Sequence, residues 1–358
     1  METTLETTQA QAPAATPPLP EVFVPPSYLW GTNPWPAQAQ PDSILQLGCG
    51  EHVIDEFINV DFIPHDQRVM EWDLLDFWPQ EMEGKLSAIY SEDVLEHFFY
   101  TEQLYILCSA NLSLKTGGVC RVLMPNVDGL AAGLHAPSAQ SLEFYSKTMG
   151  LSTGADILNA GMRFSGHRWL HNQVSFADMA ARCGFQANRM PCSQSVVPGL
   201  CNRNLRNETN SLSFANDLVK TRSMRRFIAP PAAVVDCEEV GRARGLKVFR
   251  TLTGDPQVYY RFAQPVPAGS IVLVNIRCSN LSAYREHSIA QIFFQLNEEG
   301  SCILDETLKS KACMNAVHGG LAVNKMPPGY MLNAIRFDPT ARAGDHIVLG
   351  PLEVFYLE

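Results

Sequence analysis

The chain of 358 residues carries a formal charge of −10 and an isoelectric point near 5.4. That balance argues against a protein whose main surface holds nucleic acid or an anionic membrane, since both demand positive surface. Apolar residues at 46% and charged residues at 18% suit a globular protein, and the length exceeds what one hydrophobic core usually serves, so two domains are expected.

Residues 1–25 are rich in Thr, Ala, Gln and Pro and cannot bury enough apolar area to offset their ordering entropy, so a disordered tail is expected. This start has no positive n-region or apolar h-region, and no later stretch has the apolar length of a membrane span. A cytoplasmic protein with no membrane span is expected. Ten cysteines lie scattered without a Cys-x-x-Cys pair and read as reduced, mostly buried thiols. The triplets at Asn111 and Asn207 match the glycosylation pattern by chance if nothing directs secretion.

The segment YLWGTNPWP, from Tyr28, sets Trp30 and Trp35 among turn formers, either packed on the following domain or laid over a ligand as a lid. Between Pro41 and Phe185 the strand-like runs SILQLG, FINVDF and AIYSED precede the helix-like YTEQLYILCSANLSL, and GGVCRVLMPN follows it. This alternation predicts an α/β domain, a mainly parallel sheet with helices on both faces. Leu104, Leu107, Ala110, Leu112 and Leu114 approximate the spacing of an amphipathic helix; Lys115-Thr116-Gly117-Gly118 supplies its stop, with Lys115 against the negative helix end.

The basic run KTRSMRRF, residues 220–227, reads as a solvated connector rather than a nucleic-acid patch. Beyond it come alternating runs such as QVYYRFAQ, SIVLVNIRCS and AQIFFQLN with Gly- and Pro-marked turns, the pattern of an all-β sandwich. The expected division is a domain at 26–225 and a β-sandwich at 233–358, without internal repeats.

The chemistry gathers in the first domain. Gly48 and Gly50, after the first strand, let the backbone approach a ligand, and Asp61 at the tip of the second strand can accept from ribose hydroxyls. Asp73 and Leu74 follow a third short run, Ser91 ends a fourth strand, and Glu96-His97 opens the helical segment. In this order, QLGCG, INVD, VLEH and KTGG resemble class I S-adenosylmethionine-dependent methyltransferases over about residues 42–186, HRWLHNQVSFADMAARCGF included.

The resemblance implies a Rossmann-like sheet and S-adenosyl-L-methionine as cofactor. Leu47, Gly48, Cys49 and Gly50 would face its methionine part and Asp61 its ribose; Asp73 and Leu74 would meet the adenine, and Ser91 would line the pocket. His97 would sit near the sulfonium. Two departures from the pattern stand out: the link from Gly50 to Asp61 is too short for the usual crossover helix, and His52 replaces the third glycine.

A hydroxyl acceptor would release its proton to a neutral histidine. His97, His135, His167 and His171 are candidates, with His97 and His167 preferred because they fall in family-like segments. His167 and His171 have the spacing of a helical metal pair, yet no zinc-protease glutamate or third ligand accompanies them, so no metal is expected. Glu92, Asp93 and Glu96 read as helix first-turn acids.

Residues 129–173 either cover the acceptor pocket, through Tyr145, Arg163, His167 and Trp169, or pack on the sheet. The C-terminal segment resembles β-sandwich modules of bacterial glycan-building enzymes at Arg336, Asp338 and Pro339; stabilisation or dimerisation is its alternative role. The expectation is O-methylation of a small-molecule, sugar or glycan-linked acceptor, with a homo-oligomer compatible with the sandwich. The alternatives are a non-catalytic glycan- or protein-binding scaffold and, lacking a glycine of its fingerprint, a dinucleotide oxidoreductase.

Overall fold

The computed structural model describes residues 31–35, 39–205, 212–243, 245–283, 288–296, 310–314, 319–322, 326 and 328–358. The expected disordered tail, Trp30 and Asn207 lie outside these residues. The first sheet contains β1 (Ile44–Leu47), β2 (Ile58–Asp61), β3 (Val69–Glu71), β4 (Leu86–Glu92), β5 (Leu114–Pro125), β6 (Phe185–Met190) and β7 (Ser213–Lys220), in the order β3-β2-β1-β4-β5-β7-β6. From β3 to β5 all pairings are parallel, and β7 runs antiparallel to both neighbours. The chain leaves β1 in one direction for β2 and β3 and resumes on the other side with β4, so β1 and β4 flank a topological switch point.

Five helices accompany the sheet among the described residues: α1 (Tyr100–Ser113), α2 (Val127–Ala132), α3 (Ala139–Met149), α4 (Gly154–Asn159) and α5 (Gln173–Arg182). Leu45, Leu47, Val60, Ile89 and Val122 share one apolar core with α1 and, through Phe176 and Met179, with α5. On the opposite face Ala88, Tyr90, Leu123 and Ala215 meet Ile54, Phe57 and Cys192 from loops and Leu200 from a single 3-10 turn within the 191–201 loop. The expectation of helices on both faces is therefore corrected, and loops cover the second face.

The reason lies in the short β1–β2 link. Residues 48–57 cross without a helix because side chains satisfy the backbone instead. Gln46 Nε2 donates to His52 O at 2.8 Å, while the buried Asn59 accepts from Ile54 N at 3.1 Å and donates to Ile54 O and Phe57 O at 2.9 and 3.0 Å. The second loop is fastened by a buried ion pair. Arg121 on β5 meets Asp217 on β7 at 2.8 Å and donates to Cys192 O at 2.6 Å; Asp217 accepts from Val196 N at 2.6 Å and Ser195 Oγ at 2.9 Å.

The second unit is built from β8 (Met224–Ala229), β9 (Pro231–Val235), β10 (Cys237–Ala243), β11 (Leu246–Thr251), β12 (Gln257–Pro267), β13 (Ile271–Asn280), β14 (Ser288–Leu296), β15 (Ser310–Met314), β16 (Gly319–Ala322), β17 (Met331–Asp338) and β18 (His346–Leu357). One sheet runs β10-β11-β18-β13-β16 with β8 also on β18; the other runs β15-β14-β17-β12-β9. Their facing residues, among them Ile276, Val354, Tyr260, Phe294 and Ile335, form one core, as alternation requires. Arg336 pairs with Asp338 in a two-point contact at 2.7 and 2.8 Å and stacks on Phe293, so this element is internally satisfied.

The sandwich packs against α1. Val272, Leu273 and Phe355 join the same core as Leu104 and Leu107, which buries the helix on the side that periodicity leaves for solvent. Ser109, Asn111 and Ser113 are buried as well, while Gln103 is buried against Trp169 and His171. Asn111 donates to Cys183 O at 2.8 Å and accepts from Met224 N at 3.0 Å.

The basic run is structured, not a solvated connector: Lys220 ends β7, and Met224 to Phe227 lie in β8. Lys220 Nζ donates to Asn111 O and Leu114 O at 2.6 and 2.7 Å, closing the negative end of α1. Lys115, expected in that role, pairs with Asp42 instead, and the strand begins at Leu114 with no intervening stop.

Candidate functional site

The switch point gathers the ends of β1, β2 and β4. After Leu47 the chain turns through Gly48 and Gly50, both left-handed at φ 55° and 51°. A Cβ on Gly48 would lie 2.7 Å from Val94 Cγ2, so the 92–97 turn packs directly on this glycine; a Cβ on Gly50 would meet nothing within 4 Å. Gly48 is thus held by packing, while Gly50 opens onto free space.

Asp61 stands opposite. Its Oδ2 accepts from Gly50 N at 2.8 Å and its Oδ1 from Ile63 N at 3.0 Å. A carboxylate has about four acceptor sites, so capacity remains for a diol. Cys49 N donates to Val60 O and Trp72 N to Asp61 O, at 3.1 and 2.8 Å, joining the first three strand ends into one rim. Burial, reinforced by the Asp61 charge, pushes the Cys49 thiol up to about 11, which keeps it neutral.

Asp73 is placed by a residue the sequence reading did not single out. Asn33 Nδ2 donates to Asp73 O at 2.7 Å and Asn33 Oδ1 accepts from Asp73 N at 3.2 Å, while Asn33 N and Phe77 N exchange backbone bonds with Phe77 O and Gly31 O. Residues 31–35 therefore hold the 73–77 loop. Beside it, Pro34 and the partly buried Trp35 close a small apolar cavity against Leu45, Val60 and Trp72. Burial raises the Asp73 pKa, opposed by the positive Arg277.

Some expectations require correction. Leu47 and Leu74 are core residues at 1% and 6% exposure, so only their backbone can reach a ligand. Ser91 is also buried, and its hydroxyl has no hydrogen-bond partner among the described residues, an orphan beside Gly48 at the switch point. Tyr145 packs with Ile157 and Ala160 in a small core of the 129–173 segment, not in an open pocket.

His97 and His167 do come together, with ring centroids 5.1 Å apart. His167 Nδ1 lies 2.6 Å from Gly161 O, a carbonyl that can only accept. Nδ1 therefore carries a proton, and in the neutral ring the lone pair is on Nε2, the atom 3.9 Å from the buried Glu96 carboxylate. Burial, and then the neighbouring His167, lowers the His97 pKa, so its ring is neutral near pH 7. The 166–170 stretch is held along this turn by Arg168 N and Trp169 N donating to Glu96 O at 2.7 and 3.3 Å.

His171 is structural and His135 is exposed. The helical His167/His171 pair does not form, because 166–170 is not helical. The His171 ring contacts Gln103 Oε1 and Ser175 Oγ, each at 3.0 Å. Burial lowers its pKa to about 4. The unfolded chain then binds the proton more readily, so this contribution is complete above about pH 6.5 and is lost as pH falls toward 4, a loss of about 3 kcal/mol. Urea unfolding across this range should show stability rising with pH, and His171→Gln should flatten the rise; an unchanged slope would contradict the assignment.

No family model matches the chain, and no curated protein matches it. Solved structures with some likeness include an S-adenosylmethionine-dependent methyltransferase from Listeria monocytogenes, described as putative, at 14% identity and TM-score 0.32, covering 51% of this chain and 92% of that one. A methyltransferase from Archaeoglobus fulgidus gives 12% identity and TM-score 0.30 over 50% of this chain and 86% of its own. A xylan-binding module from Roseburia intestinalis gives 12% identity and TM-score 0.27 over 38% of this chain and 96% of its own. At these scores the likenesses carry no argument for fold or function.

Proposed function

We propose that the switch-point crevice binds S-adenosylmethionine and that the protein transfers its methyl group to oxygen of a sugar or glycan-linked acceptor. The observation that carries the reading is the left-handed Gly48–Gly50 turn with the Asp61 carboxylate 2.8 Å from Gly50 N, at adjoining strand ends. When bound, the cofactor supplies an electrophilic methyl carbon on sulfur. Gly50, without a side chain, leaves room beside the backbone, and Asp61 accepts from a vicinal diol. The orphaned Ser91 hydroxyl offers a hydrogen bond at the same strand ends.

Methyl transfer asks the protein chiefly for alignment. His167 Nε2 carries the lone pair that can take a hydroxyl proton, with the ring fixed through Gly161 O and with neutral His97 beside it. The proton moves from the acceptor oxygen to Nε2, and the positive ring is stabilised by Glu96. Phe99 and Trp169, 49% and 46% exposed, flank the Glu96-His97 turn and offer flat apolar faces to an acceptor ring.

Equilibrium dialysis with labelled S-adenosylmethionine tests the reading. The wild-type chain should retain it at one equivalent, and Asp61→Ala should weaken retention by about tenfold or more, the worth of about 1.4 kcal/mol in lost diol contacts. A chain that retains no label would leave the non-catalytic scaffold as the standing alternative.

A further inference from the structure

Three electron-pair donors converge where the 92–97 turn meets residues 161–167. One carboxylate oxygen of Glu96, one ring nitrogen of His97 and one of His167 all lie within 4.8 Å of one another. Glu96 comes from a turn with no exposed side-chain surface, and His167 is 11% exposed. The donors are therefore gathered inside the fold, with two imidazoles and one carboxylate as the set.

We propose that Glu96, His97 and His167 form a binding site for a divalent first-row transition cation of the zinc or iron type. Two imidazoles with one carboxylate suit these metals, whereas magnesium and calcium prefer sites made wholly of oxygen. One histidine also has the outer partner that metal-binding histidines use: His167 Nδ1 donates to Gly161 O at 2.6 Å.

That partner fixes the His167 ring and leaves its Nε2 for the cation. A metal about 2.1 Å from each ligand would draw the donors to about 3.3 Å apart, which side-chain rotation supplies from the present 3.9 Å between Glu96 and His167. Three protein ligands leave coordination positions open. Within the methyltransferase reading, on which this role rests, an open position would hold the acceptor oxygen and favour its ionised form, which would replace proton uptake by His167 Nε2, since that lone pair would then belong to the cation. Cation binding itself does not rest on that reading.

The feature separates from the helical pair considered in the sequence. His171 is not a ligand, being held by Gln103 and Ser175, and Glu96-His97 reaches His167 only through the fold.

The test uses the full chain, stripped with chelator and dialysed, titrated with Zn2+ by calorimetry and with Co2+ by visible absorption. One equivalent should bind with a saturable cobalt band, and His167→Gln and Glu96→Gln should each weaken binding by about tenfold or more, with His135→Ala unchanged. Circular dichroism and S-adenosylhomocysteine binding in chelator verify the variants' fold and separate this outcome from failure of the cofactor reading. The absence of a saturable band, as expected if only a proton lies between Glu96 and His167, would overturn the proposal, as would a site that survives His167→Gln in a folded protein.

Discussion

Arg277→Ala is expected to destabilise the protein by about 3 kcal/mol, the cost of taking the nearer of two cations from a buried carboxylate together with its bonds to Leu75 and Tyr105. Arg277 extends from β13 into the first domain. Its Nη2 donates to Tyr105 Oη at 2.8 Å and to Glu353 at 3.1 Å, its Nη1 donates to Leu75 O, and its guanidinium lies 4.5 Å from the Phe77 ring centre. Glu353, with no exposed side-chain surface, also accepts from Asn275 at 2.9 Å and meets Arg226 at 3.5 Å, while Arg226 meets Glu83 at 2.9 Å.

Removing Arg277 therefore leaves Glu353 with Asn275 and the more distant Arg226, and releases the 73–77 loop at Leu75. Two readouts should move together: the urea midpoint should fall, and cofactor retention should weaken because Asp73 loses its backing. Adding Glu353→Leu to Arg277→Met should recover part of the stability, since a matched apolar pair carries no buried charge. A loss below about 1 kcal/mol for Arg277→Ala would contradict the buried pairing.

Asp217→Ala should cost a similar 3–5 kcal/mol for the mirror reason, with a buried guanidinium left without its carboxylate. Arg121 and Asp217 are both wholly buried, and the bonds from Val196 N and Ser195 Oγ to Asp217 attach the 191–201 loop to the sheet. Without them the loop that replaces a covering helix should open. Limited proteolysis should then cut near residues 193–202 before the rest of the domain, and Arg121→Met with Asp217→Leu should recover much of the global stability. An uncut loop in Asp217→Ala would show that apolar contacts at Cys192 and Leu200 hold it alone.

The sequence is most legible where a local period decides the structure. The runs ending in Leu47, Asp61 and Glu92 are strands, and the alternation beyond residue 230 forms two facing sheets. The Gly48 and Gly50 turn is also legible, since only a residue tolerant of positive φ fits readily there.

What period cannot reveal is what covers a face. Ser109, Asn111 and Ser113 look like the solvent side of α1 until the sandwich arrives to bury them. Lys220 caps α1 across the fold, which makes its basic run look like a linker. Asn33 and Asp73 meet over a long separation, as do Glu96 and His167, with no spacing that a single element could announce. The short Gly50 to Asp61 link was decipherable only from Asn59 and Gln46, whose side chains pair with backbone in place of a helix.

A crystal structure with S-adenosylhomocysteine is the most direct test of the proposed binding of S-adenosylmethionine at the β1, β2 and β4 ends. The ligand should lie beside Gly50 with its ribose hydroxyls on Asp61 and its adenine toward Asp73. A ligand bound elsewhere, or a crevice empty at saturating ligand, would contradict it.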